Sequence, residues 1–172
     1  MSAREIMYRD ALREALDHEM GVNPAVFIIG EGIAERGGSY KVTEGLLNKY
    51  GPDRVRDTPI SEASMIGAGV GAAIAGARPI TEILYIDFAM LGMDQIVNQA
   101  AKFRLMTGDR GSVPFVMRTQ GGAGGDANGL QRLALLEAFP VLVGEVTGAG
   151  CLLCALCRAP HHLLQVGRRF RR

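Results

Sequence analysis

The sequence predicts an α/β fold, a mostly parallel sheet with helices on both faces. Three observations predict it. Residues 25–29 are continuously apolar, as befits a strand buried on both sides. Short runs of that kind alternate along the chain with longer stretches of helical period. Residues 67–73 read Gly-Ala-Gly-Val-Gly-Ala-Ala, side chains too small for a surface helix and suited to one pressed against a sheet.

The elements follow in order. Residues 3–20 read as an amphipathic helix, with Ser2 and Glu5 as a capping box and Ile6, Ala11, Leu12, Ala15 and Leu16 as its apolar stripe. Asn23-Pro24 breaks it. Residues 25–29 form the first strand and end in the loop Gly30-Glu31-Gly32; Gly37-Gly38 marks a second loop. Residues 42–50 read as a helix stopped by Gly51-Pro52, and Val55 with its neighbours as a weak second strand. A helix is expected over 62–76 and a strand over 79–88. A long helix is expected over 90–106, with Met90, Ile96, Val97, Ala100, Ala101 and Leu105 apolar, and a strand over 113–117. Ligands of such sheets lie at the carboxyl ends of the strands. Gly30-Glu31, Glu62 and the glycine loop 121–125 should therefore meet near one edge.

Composition narrows the classes. The 172 residues are enough for one domain, or one domain with a tail, and 48% hydrophobic residues can fill its core. A net charge of +1 gives no global field for nucleic acid. No apolar stretch reaches the ~18 residues of a membrane span, and the first residues lack a signal-peptide pattern. The simplest expected location is a reducing cytoplasm; an organellar matrix, after removal of a transit peptide, is the second option.

The strongest chemical signal is Asp57-Thr58-Pro59-Ile60-Ser61-Glu62, which sets one carboxylate at the mouth of the small-residue helix. A Glu beside so much apolar sequence must be paired, hydrogen-bonded or protonated, and such placement is how enzymes make a carboxyl a useful acid or base. The competing account is a charge interacting with the helix dipole. Gly67-x-Gly69-x-Gly71 is not a dinucleotide fingerprint, because no strand runs directly into it. The 121–125 loop lacks the following Lys-Ser or Lys-Thr of a P-loop and reads as a loop after a strand. Cys151, Cys154 and Cys157, with His161 and His162 beyond, invite a zinc or iron–sulfur reading. Their apolar surroundings favour buried free thiols instead, and no metal site is assigned. Arg168, Arg169, Arg171 and Arg172 read as a solvated basic end.

The blocks from Phe27 to Glu31, Gly37 to Leu46, Asp57 to Glu62, Ala77 to Glu82, Asp94 to Lys102 and Arg118 to Gly122 carry a family resemblance. In order and spacing they resemble the beta subunit of the thiamine-diphosphate-dependent 2-oxo acid dehydrogenases, in its transketolase-like pyrimidine-binding domain. The resemblance covers about residues 4–125 and implies a domain over 1–139 followed by a divergent Cys- and Arg-rich tail over 140–172. It implies that Glu62 hydrogen-bonds the aminopyrimidine ring nitrogen of thiamine diphosphate and so activates the cofactor for oxidative decarboxylation of a 2-oxo acid. Leu84 and Phe88 would flank the pyrimidine, with Ile60 a weaker candidate beside it. The partners implied are an alpha subunit, which holds the diphosphate and its magnesium, a second beta subunit, and the lipoyl-bearing acyltransferase core.

The departures are as specific. The family's active-site His has no counterpart, since Gln131 or Arg132 stands near its place, and beyond Phe139 the resemblance ends. The expectation is a truncated or altered ending and a chain that does not catalyse by itself. Two other classes stay open: an inactive interaction module that competes for alpha subunits, and a metal-binding protein built on the Cys-rich tail.

Overall fold

The computed structural model describes residues 5–120 and the backbone of residues 152–153. It contains five strands: β1 (Val26–Gly30), β2 (Val55–Asp57), β3 (Arg78–Ile83), β4 (Val116–Thr119) and β5 (Leu152–Leu153). They form one sheet in the order β2-β1-β3-β4-β5. The pairs β1–β2, β1–β3 and β3–β4 are parallel, and β5 runs antiparallel to β4. The α-helices are α1 (Tyr8–Val22), α2 (Leu46–Tyr50), α3 (Glu62–Ile74) and α4 (Ala101–Met106). The α/β architecture expected from the sequence is the one observed.

Pleating divides the core in two. Val26, Ile28, Val55 and Ile80 face one way and pack with Leu16 and Met20 of α1, Leu46 of α2, and Ile33 and Val42 of the loop after β1. Ile83 and Met117 face the other way and pack with Met65, Ile66, Val70 and Ala73 of α3, together with Val113 and Phe115. The first layer is pinned by one side chain. Arg54 donates from Nη2 to the carbonyls of Met20 (2.8 Å), Asn23 (2.9 Å) and Val26 (2.7 Å), and from Nε to Val26 O (3.0 Å). It thereby closes the Met20 carbonyl, which the end of α1 leaves open, and ties the connection after α1 to the start of β1.

Of the small residues of α3, Gly69 does what its size predicts, while Ala68 and Gly71 are exposed. A Cβ at Gly69 would lie 2.6 Å from Phe115 Cε2 and closer still to Thr81 Oγ1, so only glycine lets α3 lie this near β3.

Several boundaries differ from the sequence reading. Helix α1 starts at Tyr8 with Met7 before it and no side-chain cap, so a box at Ser2 and Glu5 does not begin it; Ser2 itself lies outside the described residues. Helix α2 is confined to Leu46–Tyr50, and a short 3₁₀ turn occupies Ser39–Lys41. Strand β3 stops at Ile83, and Ile86–Gly92 winds as a 3₁₀ helix. The long helix expected over 90–106 is π-wound over Asp94–Ala100 before α4 begins. That wider winding changes the helical phase. Ile96 is buried and Val97 and Ala100 pack on the core, but Leu105, beyond the π-wound stretch, is exposed instead of apolar-facing; Met90 is exposed too, on the preceding 3₁₀ helix. Strand β4 starts later than expected, at Val116. Pro114 lacks an N–H, and Phe115 N–H turns back to Val113 O at 2.8 Å.

Candidate active site

The parallel strands β2, β1, β3 and β4 all point their carboxyl ends at one edge of the sheet. Every residue singled out for chemistry in the described chain leaves that edge. Strand β2 ends at Asp57, and the segment to Glu62 is tied back to β1 where Thr58 N–H donates to Gly30 O at 2.9 Å. Thr58 Oγ1 lies 2.7 Å from Met65 Sδ, which folds the segment onto the first turns of α3.

Glu62 is the first residue of α3 and only 6% exposed. It makes no hydrogen bond or ion pair with any described residue. The N-cap Ser61 offers it no competition for the helix start, because the Ser61 hydroxyl turns back to Pro59 O at 3.2 Å. Free N–H groups at a helix start favour a negative charge there. The carboxyl is thus nearly buried, held at a positive helix end, and open to a hydrogen-bonding partner from outside the described chain.

Beyond β3 the chain turns through Leu84 and Tyr85 into the 3₁₀ helix that carries Phe88. Leu84 is half-buried and Phe88 is 41% exposed. The Tyr85 and Phe88 rings meet edge to face, with centroids 6.0 Å apart and planes at 75°. The turn is fixed from β4, since Ile86 N–H donates to Gln120 O at 2.9 Å. It is fixed from α3 as well: a Cβ at Gly92 would run into Ile66. Ile60 is 73% exposed on the segment before Glu62. The structure therefore brings Glu62, Ile60, Leu84 and Phe88 to one edge. The loop 121–125, Gln131, Arg132, the three cysteines, His161, His162 and the terminal arginines lie outside the described residues. Among the described residues no group of His, Cys, Asp and Glu could hold a metal ion.

Four buried polar atoms without a partner among the described residues lie at the end of β4 or on the segments that follow β3 and β4. The oxygens Asp87 Oδ1, Gln95 Oε1, Thr119 Oγ1 and Gln120 Oε1 are buried without a hydrogen-bond partner among the described residues. Each such group costs about 1–3 kcal/mol if it stays unsatisfied, and Ser39 Oγ and Thr81 Oγ1 elsewhere in the fold are in the same position.

One feature escaped the sequence reading. Glu82 and Arg118, both buried, form an ion pair across β3 and β4. The signal that could have found it is a Glu between Ile80 and Ile83 on a central parallel strand, where a lone charge cannot stay.

The comparison with family models matches residues 4–144 to the transketolase pyrimidine-binding domain. The chain belongs to that family. Its pyrimidine-binding domain is 49% identical to "Pyruvate dehydrogenase E1 component subunit beta-1, mitochondrial" of Oryza sativa subsp. japonica, over 71% of this chain and 33% of that protein. It is 50% identical to the mitochondrial beta subunit of Pisum sativum, over 75% of this chain and 35% of that protein. Identity is also 50% to the beta subunit of Rickettsia bellii (strain RML369-C), over 69% of this chain and 37% of that protein. The chain spans about a third of the length of these curated relatives. Among solved structures, a "Split gene transketolase, inactive beta4 tetramer" aligns with a TM-score of 0.45 and 21% identity, covering 56% of this chain and 30% of that one. A likeness that distant says nothing of this chain's chemistry. The resemblance read from the sequence, to beta subunits of thiamine-diphosphate-dependent 2-oxo acid dehydrogenases, is the one these relatives bear out. No helix among the described residues is long and apolar enough to cross a membrane.

Proposed function

We propose that this chain is the pyrimidine-binding part of a 2-oxo acid dehydrogenase beta subunit, with Glu62 as the cofactor-activating acid. The observation that carries the reading is the Glu62 carboxyl, 6% exposed at the start of α3 and unpartnered among the described residues. The residues at this edge fit thiamine diphosphate. A near-buried carboxyl suits a ring nitrogen that must be hydrogen-bonded out of water. Half-exposed Leu84 and Phe88 suit an aromatic ring that needs an apolar platform.

When bound, the cofactor supplies the electron sink that lets a 2-oxo acid lose carbon dioxide. The chain's own residues do the rest of this half of the work. Glu62 holds or releases a proton at its carboxyl oxygen, in a position that α3 fixes and that Gly30 and Met65 brace from behind. Leu84 and Phe88 orient the ring and keep water from its face, and Ile60 closes the exposed side. The diphosphate and its metal fall to an alpha subunit in this reading, the division of labour that the family resemblance implies. A second beta subunit and a lipoyl-bearing acyltransferase complete the assembly.

The test is Glu62→Gln in an enzyme assembled from an alpha subunit and this domain joined to a relative's carboxyl-terminal half. Decarboxylation should fall by ~10²–10⁴, the span expected of a positioned proton-transfer group. Near-wild-type turnover would sink the assignment.

A further inference from the structure

Asp57, Gly30, Glu82 and Arg118 stand in register on β2, β1, β3 and β4. Aligned residues of parallel strands share a face, and this row lies on the face opposite α3, under the loop that follows β1. Both carboxylates of the row hold that loop. Asp57 Oδ1 accepts the Ala34 N–H at 2.8 Å, and Glu82 Oε1 accepts the Ser39 N–H at 3.4 Å. Gly30 makes room between them: a Cβ there would lie 2.8 Å from Glu82 O and 2.9 Å from Glu82 Cβ. Gly38, at φ +69°, brings the loop down on the same carboxylate, where a Cβ would lie 3.2 Å from Glu82 Oε1.

Arg118 completes the row. Its side chain and that of Glu82 are 9% and 4% exposed, so their ion pair is taken almost wholly out of water. A buried pair of this kind adds little net stability over an apolar pair of the same size. What it does add here is a fixed frame. The loop needs one, because Tyr40 (φ 55°) and Lys41 (φ 62°) both sit in the left-handed region that non-glycine residues enter only when held there. The frame also reaches both halves of the candidate site. Gly30 O receives the Thr58 N–H on the way to Glu62, and β4 runs into Gln120, whose carbonyl starts the turn that carries Phe88.

We infer that Glu82 and Arg118 are positioning residues, a buried pair that fixes the loop over residues 31–45 and the relative placement of the segments bearing Glu62 and Phe88. The consequence for catalysis rests on the proposed function; the hold on the loop does not.

The experiment is hydrogen exchange on the full chain, in wild type and in the double variant Glu82→Leu, Arg118→Met, which removes both charges and keeps apolar bulk. Amides over residues 34–43 should exchange about tenfold faster, while the interior of α3 is unchanged. Arg118→Lys, which keeps the charge, should stay near wild type. Should the double variant fail to fold, Glu82→Gln is read in the same way, because it keeps the size and shape of the side chain. Wild-type exchange over 34–43 in either folded variant overturns the inference. So does a uniform rise across the whole chain, which is what a merely stabilising pair would give. The assembled enzyme separates the two readings. If exchange responds as expected while Glu62→Gln keeps full turnover, the positioning role stands and the cofactor assignment fails.

Discussion

Gly69 and Gly71 are near neighbours on α3, and replacing each by alanine should move stability in opposite directions. The local gain is the same at both, since alanine in a helix interior is favoured over glycine by ~1 kcal/mol. At Gly71 a Cβ meets nothing within 4 Å, so the whole gain of ~1 kcal/mol should appear. At Gly69 the added methyl would sit 2.6 Å from Phe115 Cε2 and nearer still to Thr81 Oγ1. Phe115 is 2% exposed and Thr81 is wholly buried, so neither can swing aside. Overpacking costs ~1–3 kcal/mol, and two hemmed-in neighbours put this case near the upper end. Gly69→Ala should then lose ~2 kcal/mol net, a spread of ~3 kcal/mol between the variants. In thermal melts followed by far-ultraviolet circular dichroism that spread is about 6–12 °C for a domain of this size. Urea unfolding gives the same comparison at fixed temperature. If both variants stabilise, or the spread is below ~1 kcal/mol, the close approach of α3 to β3 is not what the glycine secures.

Other outcomes follow from single contacts. Arg54→Met should cost ~2–3 kcal/mol in urea unfolding, because the guanidinium closes the carbonyls of Met20, Asn23 and Val26, with Arg54→Lys recovering part of the loss. Lys49 bonds the Asp17 carboxylate at 2.6 Å, and that bond, with one from the Tyr50 hydroxyl, holds Asp17 below its ordinary 3.8. A depressed carboxyl stabilises the fold above its unfolded value and loses that contribution as pH falls through the folded one. Melts of Asp17→Asn should therefore converge on wild type below pH 3.8 and fall short of it above. Calorimetry of the chain alone with thiamine diphosphate and magnesium should show binding weaker than micromolar, since the pyrimidine end offers few atoms for affinity. A micromolar constant without a partner would mean the diphosphate site has been misplaced.

What could be read from the sequence was whatever depends on near neighbours in the chain. Residues 25–29 announced β1 by unbroken apolarity, and residues 67–73 announced a close-packed helix by size alone. The burial of Glu62 at the start of α3 is legible from the small, apolar residues that follow it. What depends on distant partners was not. Strand β3 was read through to Phe88, because nothing in residues 84–88 shows that the Ile86 N–H goes to Gln120 O instead of along a strand ladder. The face of the long helix is not legible at its two ends: Met90 winds in a separate 3₁₀ helix, and Leu105 follows a π-wound stretch whose winding leaves no periodic trace. Glu82 and Arg118 each fall in a block that carries the family resemblance, yet their pairing needs the β3–β4 register, which is a property of the sheet and of neither strand.

The strand order has a consequence in time as well as in space. In the sheet β1 is flanked by β2 and β3, but β3 leaves the ribosome roughly fifty residues after β1, which at ~5–20 residues per second is about 3–10 s. Throughout that interval the rail of amides and carbonyls along Val26–Gly30 that β3 will cover stays bare, even after β2 has been made to pair with the opposite one. Helix α3 emerges before β3 does, and its apolar flank has no β3 to lie on until Ile83 is synthesised. The β1–β3 pairing at the centre of the sheet therefore closes only after both β2 and α3 have been made. A chaperone that recognises extended apolar segments would find its opening in those seconds, at the same strand whose carboxyl end later anchors the segment leading to Glu62.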